Sequence, residues 1–224
     1  MTRLDAILFD LDGVLVDSEA AHAWAWTELL RGEGVDFSLT DYRRVGAGRS
    51  REAVIHAVLG TLPPKEHERL MQGKERLVER FVSMHDLEPV PGALAFARTV
   101  QEAGIGVAVA TSSRAPGLLL GAIGARDLFE VVVDRTMVDR GKPAPDLFLL
   151  AAHRLSADPR ACWVVEDAPA GVEAGLAAGC HVLAVTTTHG RHALQRAHRV
   201  IDRFDEVHWK DLIDWMVDGV VLGD

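Results

Sequence analysis

The chain has 224 residues, 48% of them hydrophobic and 25% charged, and its formal net charge is −9. This length has room for one α/β domain and a smaller accessory domain, and an acidic chain without blocks of like charge is not expected to bind nucleic acid or an anionic membrane. No signal peptide is apparent and no apolar segment is long enough to span a bilayer, so we expect a cytoplasmic protein. The two cysteines, Cys162 and Cys180, lie in apolar stretches, which is typical of reduced structural thiols.

An apolar strand is predicted over residues 5–10, and a loop rich in carboxylates follows it. Asp10 and Asp12 are two residues apart, so they would point to the same face if the strand continued. Like charges held that close repel, and a metal ion, a shared proton or a phosphoryl group would relieve the conflict. Such a pair can also divide the roles of nucleophile and general acid/base. The alternative is an acidic junction between a strand and a turn.

Helical patterns follow in residues 18–34, 50–60 and 64–84, and no strand is predicted between residues 18 and 85. Beyond residue 92, helices and strands alternate. Helices are predicted over 92–103, 114–123, 144–155 and 168–178, and strands over 105–110, 130–133, 162–165, 181–185 and near 199–201. This alternation predicts right-handed βαβ units and a doubly wound, Rossmann-like parallel sheet in an α/β fold.

The first strand is apolar enough for the centre of that sheet, so we assign residues 1–14 and 89–224 to one α/β core. Residues 15–88 then form an inserted α-helical domain. The insertion leaves and re-enters the core near the acidic loop. We therefore expect it over the carboxyl ends of the strands, where open parallel sheets bind their ligands.

Hydroxyl groups and a lysine follow the next two strands of the predicted core. Thr111 and Ser112 come after strand 105–110, where hydroxyls and the amides of a helix start can bind an anion or can simply cap the helix. Lys142 stands in a turn fixed by two prolines, from which it can reach a phosphate or a carboxylate pair, or can face solvent.

A second acidic pair, Glu166 and Asp167, follows strand 162–165. Buried carboxylates without a partner are costly, and Mg²⁺ held by oxygen ligands would neutralise them together with Asp10. The alternative is that they are acids at the start of the next helix. Because strand ends converge in a doubly wound sheet, we expect all of these side chains in one crevice.

The sequence resembles the haloacid dehalogenase superfamily of phosphotransferases, and within it the β-phosphoglucomutase-like sugar phosphatases and mutases. The resemblance rests on D-x-D-G-V-x-x-D at residues 10–17, a strand ending in Thr-Ser, Gly-Lys-Pro-x-Pro at 141–145, and Glu-Asp at 166–167. It implies the same Rossmann-like core, with residues 15–88 as a cap domain. Dehalogenation is not expected, because the dehalogenases lack the second motif aspartate and do not need Mg²⁺.

The resemblance also implies roles for individual residues. Asp10 would be the nucleophile that becomes an aspartyl phosphate, and Asp12 would protonate the leaving alcohol and then activate water or a second sugar. Thr111 would bind the phosphoryl group and Lys142 would balance its charge. The implied metal site is Mg²⁺ held by Asp10, the backbone carbonyl of Asp12 and Asp167, with Glu166 beside it.

Substrate binding is assigned to Ser112 in the core and to His22, Gly48 and Arg51 in the insertion. In β-phosphoglucomutases a histidine matching His22 couples cap closure to catalysis, and an arginine matching Arg51 holds the distal phosphate. Both residues also fit a plainer interpretation, with His22 as a surface or core histidine and Arg51 as a solvated residue at a helix start.

We expect a Mg²⁺-dependent phosphatase that acts, as a monomer, on small phosphorylated sugars or polyols. The loop Ser112–Arg114 lacks the Lys-Asn that mutases tend to carry, Lys74 is one position away from their cap lysine, and Ala184–His189 looks more like a sugar phosphatase. The main alternative is a sugar phosphomutase that uses the same phospho-aspartate. A receiver-type signalling domain does not fit the helical insertion, and a silent relative does not fit the intact motifs.

Overall fold

The structure is a computed structural model that describes residues 3–46 and 51–217. The chain divides into two compact units. One contains the described residues up to Asp17 and from Glu88 onward, and the other is Ser18–Leu87. Within the described ranges, no helix combines the length and the apolar character needed to cross a membrane.

A six-stranded parallel sheet forms the centre of the first unit. Its strands are β1 (Ala6–Phe9), β2 (Gly106–Ala110), β3 (Val131–Val133), β4 (Cys162–Glu166), β5 (His181–Val185) and β6 (Arg199–Ile201). Their order is β3-β2-β1-β4-β5-β6, and every neighbouring pair is parallel. The prediction of a doubly wound sheet is confirmed, and the strand order reverses between β1 and β4.

In the residues described, the second unit has four helices, α1 (Glu19–Gly32), α2 (Leu39–Val45), α3 (Arg51–Leu59) and α4 (Pro64–Met84). Their shared core includes Trp26, Leu30, Ile55 and Leu70. Helices α1, α3 and α4 agree with the predicted helices to within a few residues. Helix α2 was not predicted, although Ser38 begins it with a capping box to Asp41.

The first unit contains the remaining helices, α5 (Ala93–Glu102), α6 (Pro116–Ala122), α7 (Asp146–Arg154), α8 (Pro169–Ala177), α9 (Arg191–Leu194) and α10 (Trp209–Val217). Short 3₁₀ helices cover Arg135–Met137, Pro159–Ala161 and Phe204–Glu206. Helices α9 and α10 were not predicted. Helices α6 and α7 each start two residues later than predicted. The loops before them, which contain Thr111 and Lys142, are correspondingly longer.

Strand β1 is buried on both faces, which explains its unbroken apolar sequence. On one face, Leu8 belongs to a cluster with Phe148 of α7. On the other, the ring of Phe9 meets Phe96 edge-on at 6.2 Å and Phe129 at 5.9 Å. This packing holds the end of β1, and the residue after it, in a fixed place.

Candidate active site

The acidic loop begins where β1 ends. The amide of Asp10 still donates to the Val165 carbonyl of β4 at 2.9 Å, and the chain then turns. Gly13 has a φ of 76°, in the left-handed region that favours glycine, and its amide donates to Val16 at 2.8 Å. The strand therefore does not continue through Asp12, so the condition for the same-face argument is not met, and a turn places Asp12. Asp10 is buried, whereas Asp12 is half-buried.

Lys142 bridges two carboxylates from neighbouring strands. Its ammonium Nζ donates to Oδ1 of Asp10 and, at 2.6 Å, to Oε1 of Glu166. The side chain is only 7% exposed, and Nζ lies 4.8 Å from the ring centroid of Phe148. The solvated-loop interpretation of Lys142 is therefore wrong. The peptide bond between Lys142 and Pro143 is cis.

Glu166 is the last residue of β4, and both of its carboxylate oxygens are engaged. Oε1 accepts from Lys142, and Oε2 accepts from the amides of Asp167 at 2.9 Å and Ala168 at 3.1 Å. Gly171 makes room for this arrangement, because a Cβ there would overlap the Glu166 carboxylate. Glu166 is thus a fixed anchor for Lys142.

The N-cap of α8 is Ala168, so neither Glu166 nor Asp167 caps this helix or lies in its first turn. The interpretation of these residues as helix-start acids is wrong. Asp10, Glu166 and Asp167 instead converge, all buried, with one carboxylate oxygen of each within 4.8 Å of the others.

This convergence perturbs the titration of the site. Burial raises the pKa of Asp10 to about 8, with the carboxylates of Glu166 and Asp12 adding to the rise and Lys142 opposing it. Burial, Glu166 and Asp10 also raise the pKa of Asp167 well above its usual range. Burial disfavours the charged form of Lys142, but Asp10 and Glu166 outweigh it and raise the pKa of that ammonium.

The donor set fits a hard divalent cation. Three buried carboxylates face one ammonium, so the fully ionised cluster carries a net charge of −2, counted from the three acids and Lys142. Because an unbalanced buried charge is costly and oxygen ligands are those that Mg²⁺ prefers, a cation would remove the imbalance. The Glu166 oxygens already hold Lys142 and two amides, which leaves Asp10 and Asp167 better placed to contribute ligands.

Thr111 follows β2, the neighbour of β1 on the other side. The pairing of Phe9 with Val109 places Thr111 one residue beyond the level of Asp10. Its hydroxyl accepts from the amide of Ser113 at 3.0 Å, and the residue is fully buried. Helix α6 begins at Pro116 after Ala115, so the helix-capping interpretation of Thr111 is wrong. Ser112 beside it is exposed.

In the helical unit, His22 is half-buried and its Nδ1 lies 2.5 Å from Nζ of Lys74. Lys74 is only 2% exposed, and its Nζ lies 5.9 Å from the ring centroid of Trp26, which is a core residue. The Arg51 side chain is 15% exposed and lies 3.9 Å from Glu75, so it is not a solvated residue. Gly48 lies outside the described residues.

Comparison with known proteins identifies the family. A sequence profile of haloacid dehalogenase-like hydrolases matches residues 4–179. The chain belongs to this family. This hydrolase is 34% identical to hexitol phosphatase A of Escherichia coli over 216 residues, which cover 92% of this chain and 94% of that protein. It is 32% identical to the β-phosphoglucomutase of Bacillus subtilis over 189 residues, which cover 81% of this chain and 83% of that protein.

A solved structure agrees with this assignment. CbbY from Rhodobacter sphaeroides, in complex with phosphate, matches this hydrolase with a TM-score of 0.80 and 27% identity, covering 91% of this chain and 96% of the other. The predicted family and fold are confirmed, and so is the prediction of an enzyme, since named phosphatases are among its relatives.

The loop after β5 also borders the site of this hydrolase, and sequence analysis did not predict this. In the loop after β5, the Thr187 hydroxyl donates to the Gly13 carbonyl at 2.5 Å, and the Thr188 hydroxyl and the Asp167 carboxylate both lie beside Gly13. Nδ1 of His189 lies 3.1 Å from the Asp167 carbonyl. Sequence analysis uses the run Ala184–His189 only for its resemblance to sugar phosphatases. The signal that could have placed this loop at the site is the group of polar residues that directly follows β5. Polar residues likewise follow β1, β2, β3 and β4.

Gly171→Ala tests the anchoring of Glu166. A methyl group at this position must displace the Glu166 carboxylate, so we expect a loss of about 1–3 kcal/mol in the free energy of unfolding, as for other overpacked sites. Activity should fall with it, because Lys142 loses a fixed partner. Urea unfolding and steady-state kinetics measure the two effects.

Gly117→Ala is the matched control. Gly117 also lies in the first turn of a helix, but a Cβ there meets only Nη2 of Arg126, at 3.9 Å. This variant should be neutral or slightly stabilised. Equal behaviour of the two variants would contradict the role given to Gly171.

Proposed function

We propose that this hydrolase is a Mg²⁺-dependent phosphatase of small phosphorylated sugars or polyols that works through an aspartyl phosphate on Asp10. The observation that carries the proposal is the bridge from Lys142 to Asp10 and Glu166 at the point where the strand order reverses. Phosphoryl transfer depends on positioning and charge neutralisation, and a buried carboxylate beside an ammonium meets both needs. The relationship to hexitol phosphatase A supports the substrate class.

The reaction has two displacements at phosphorus. A carboxylate oxygen of Asp10 attacks the phosphorus atom, the bond to the substrate oxygen breaks, and Asp12 donates a proton to the leaving alcohol. Asp12 then accepts a proton from water, whose oxygen attacks the phospho-aspartate. Inorganic phosphate leaves, and the Asp10 carboxylate is regenerated. Thr111 and Lys142 hold the phosphoryl oxygens in both displacements.

Asp10, Asp167 and the backbone carbonyl of Asp12 would hold Mg²⁺, with Glu166 beside them as the anchor of Lys142. Bound there, the ion would offset the negative charges of the phosphoryl group and of the carboxylates. Lys142 keeps its proton throughout, because the acids around it raise its pKa. It therefore serves as a permanent charge partner for Asp10 and not as a general acid.

Selection of the substrate is assigned to the helical unit, as a cap domain of the α/β core, and to Ser112. Within that unit, the low exposure of Arg51 and Lys74 supports a role in binding an anionic or polyhydroxylated group. His22 contacts Lys74 within the same helical unit. The assignment of Gly48 to substrate binding rests on the family resemblance alone.

The second candidate is a sugar phosphomutase, in which a bound sugar phosphate replaces water as the acceptor. The 32% identity to a β-phosphoglucomutase favours it, and the same core chemistry serves both reactions. The two differ in whether water reaches the phospho-aspartate.

Product analysis tests the proposal. Phosphorylated sugars and polyols are incubated with the enzyme and Mg²⁺, with and without a sugar bisphosphate primer, and free phosphate and isomerised product are both measured. We expect phosphate release without a primer, and its loss in EDTA. Primer-dependent conversion of glucose 1-phosphate to glucose 6-phosphate, faster than any phosphate release, would favour the mutase. Full turnover in EDTA would contradict the metal site.

A further inference from the structure

The two side chains assigned to the phosphoryl oxygens come from separate loops of the α/β core. Thr111 follows β2, and Lys142 lies in the connection between β3 and α7. Asp10 and Glu166 hold the Lys142 ammonium, but these contacts fix only the end of a flexible side chain. Phosphoryl transfer depends on exact placement of the groups around the phosphorus atom. The contacts that join the two loops therefore matter for the proposed reaction.

The backbone of Arg135, shortly after β3, is tied to the loop after β2. Its amide donates to the Ser113 carbonyl at 3.1 Å. Asp134 caps the 3₁₀ helix that begins at Arg135, since its carboxylate accepts from the amide of Thr136 at 2.7 Å. Residue 135 is therefore fixed relative to the loop that carries Thr111.

The half-buried side chain of Arg135 reaches forward to the segment before Lys142. Its Nη1 donates to the Val138 carbonyl at 2.8 Å, and its Nη2 donates to the Asp139 carbonyl at 3.3 Å. The planar guanidinium holds these donors in a rigid fork, so it fixes the direction of the main chain as well as its distance. The stem of the side chain also packs on Gly141, where a Cβ would lie 2.9 Å from Nε of Arg135.

We propose that Arg135 is a positioning residue for Lys142, which it holds in a fixed place relative to Thr111 by joining the loops that carry them. This inference rests on the proposed function, because it takes Lys142 and Thr111 to hold the phosphoryl group. Arg135 lies outside the motifs that carry the family resemblance. Its side-chain hydrogen bonds described above go to main-chain carbonyls, so it acts through the placement of Lys142 and not on the reacting atoms.

The chain offers a matched series of variants. Arg135→Met keeps much of the stem and removes both donors, whereas Arg135→Lys keeps the charge and one donor nitrogen but cannot form the fork. Gly141→Ala disturbs the same contact from the other side, because its methyl group must displace the Arg135 stem. Arg126→Met is the control, since Nη2 of Arg126 also donates to a main-chain carbonyl, that of Gly117 in α6, at 2.7 Å.

The first measurement follows Lys142 directly and does not depend on the reaction. Limited acetylation of the full-length protein with acetic anhydride, read by mass spectrometry, gives the rate at Lys142 relative to the exposed Lys65. The Lys142 side chain is only 7% exposed, so it should react slowly in the wild type. Arg135→Met and Gly141→Ala should each raise the relative rate about 5-fold, the shift expected when a hydrogen bond that closes a loop is lost.

The second measurement is steady-state hydrolysis of p-nitrophenyl phosphate with saturating Mg²⁺. We expect Arg135→Met to lower kcat by about 10- to 100-fold, the range for a small displacement of a group that acts on the substrate, with little change in KM. Arg135→Lys should lie between this variant and the wild type, and Arg126→Met should match the wild type. Thermal unfolding checks that each variant is folded at the assay temperature.

The outcomes separate this inference from the proposed function. Wild-type acetylation of Lys142 in Arg135→Met and Gly141→Ala, or equal changes in Arg126→Met, overturns the role of Arg135. Faster acetylation with a wild-type kcat overturns it too, because turnover would not depend on the placement of Lys142. If Arg135→Met does not fold, Gly141→Ala decides by the same two measurements. If Lys142→Met keeps wild-type activity, the proposed function falls, whereas acetylation still decides whether Arg135 holds Lys142.

Discussion

Asp10→Asn should lower kcat by about four orders of magnitude, within the range seen when a nucleophile is removed, while leaving the protein folded. The amide has the shape of the carboxylate but neither its charge nor its nucleophilicity. Folding should persist because Lys142 keeps its contact with Glu166 and because burial already disfavours the charged form of Asp10. Steady-state kinetics and urea unfolding measure the two quantities.

The control for this prediction is Asp17→Asn, which changes an exposed acid of the same motif and should keep its activity. Mass spectrometry of the rapidly quenched wild type should also detect a phosphoryl adduct on Asp10 and none in Asp10→Asn. A variant that retained a tenth of the wild-type kcat would rule out the aspartyl-phosphate mechanism.

Lys142→Met should abolish turnover and destabilise the fold. The ammonium lies between two buried carboxylates, and removal of one partner of a buried ion pair typically costs about 3–5 kcal/mol. Activity should fall by at least about a thousandfold, since the positive charge that stabilises the transferring phosphoryl group is gone. The charge of Lys142 also lowers the pKa of Asp10, so its loss should raise that pKa further and disfavour the attacking carboxylate form.

The pH dependence of this variant has a definite sign. A carboxyl group whose pKa is raised in the folded state contributes stability at low pH, and that contribution is lost as pH rises through the raised value. The wild-type pKa of Asp10 is already about 8, and it is higher in the variant. We therefore expect the stability gap between Lys142→Met and the wild type to stay constant from pH 5 up to about 8, and to widen above that value, in urea unfolding.

A double variant distinguishes charge from packing. Adding Glu166→Gln to Lys142→Met removes the second uncompensated carboxylate and keeps an oxygen for the two amides, so stability should recover in part and activity should not. Lys65→Met, at an exposed position of α4, is the control for the substitution itself. Wild-type stability of Lys142→Met would contradict this account of Lys142. Restored activity in the double variant, Lys142→Met with Glu166→Gln, would also contradict it.

The sequence by itself determined the fold class and the location of the site. Alternation of helices and strands beyond residue 92 is a local pattern, and the handedness of βαβ connections leaves few ways to arrange it. Since the carboxyl ends of parallel strands converge, the polar residues after each strand could be brought together without coordinates. For that reason Asp10, Lys142 and Asp167 were predicted to converge, and the structure brings them together, while Thr111 follows the neighbouring strand.

Only the tertiary structure decided which of these side chains touch and what each contact does. Lys142 and Asp10 are 132 residues apart, and Thr187 and Gly13 are 174 residues apart, so no local pattern encodes either contact. The anchoring of Lys142 by Glu166 depends on the space that Gly171 leaves, which is a property of packing. Helix α9 was missed because its four residues are too few for a periodic pattern, whereas α2 and α10 were missed although α6 and α7, helices of the same lengths, were predicted. The burial that sets the pKa of Asp10 exists only once the sheet and its loops have closed around it.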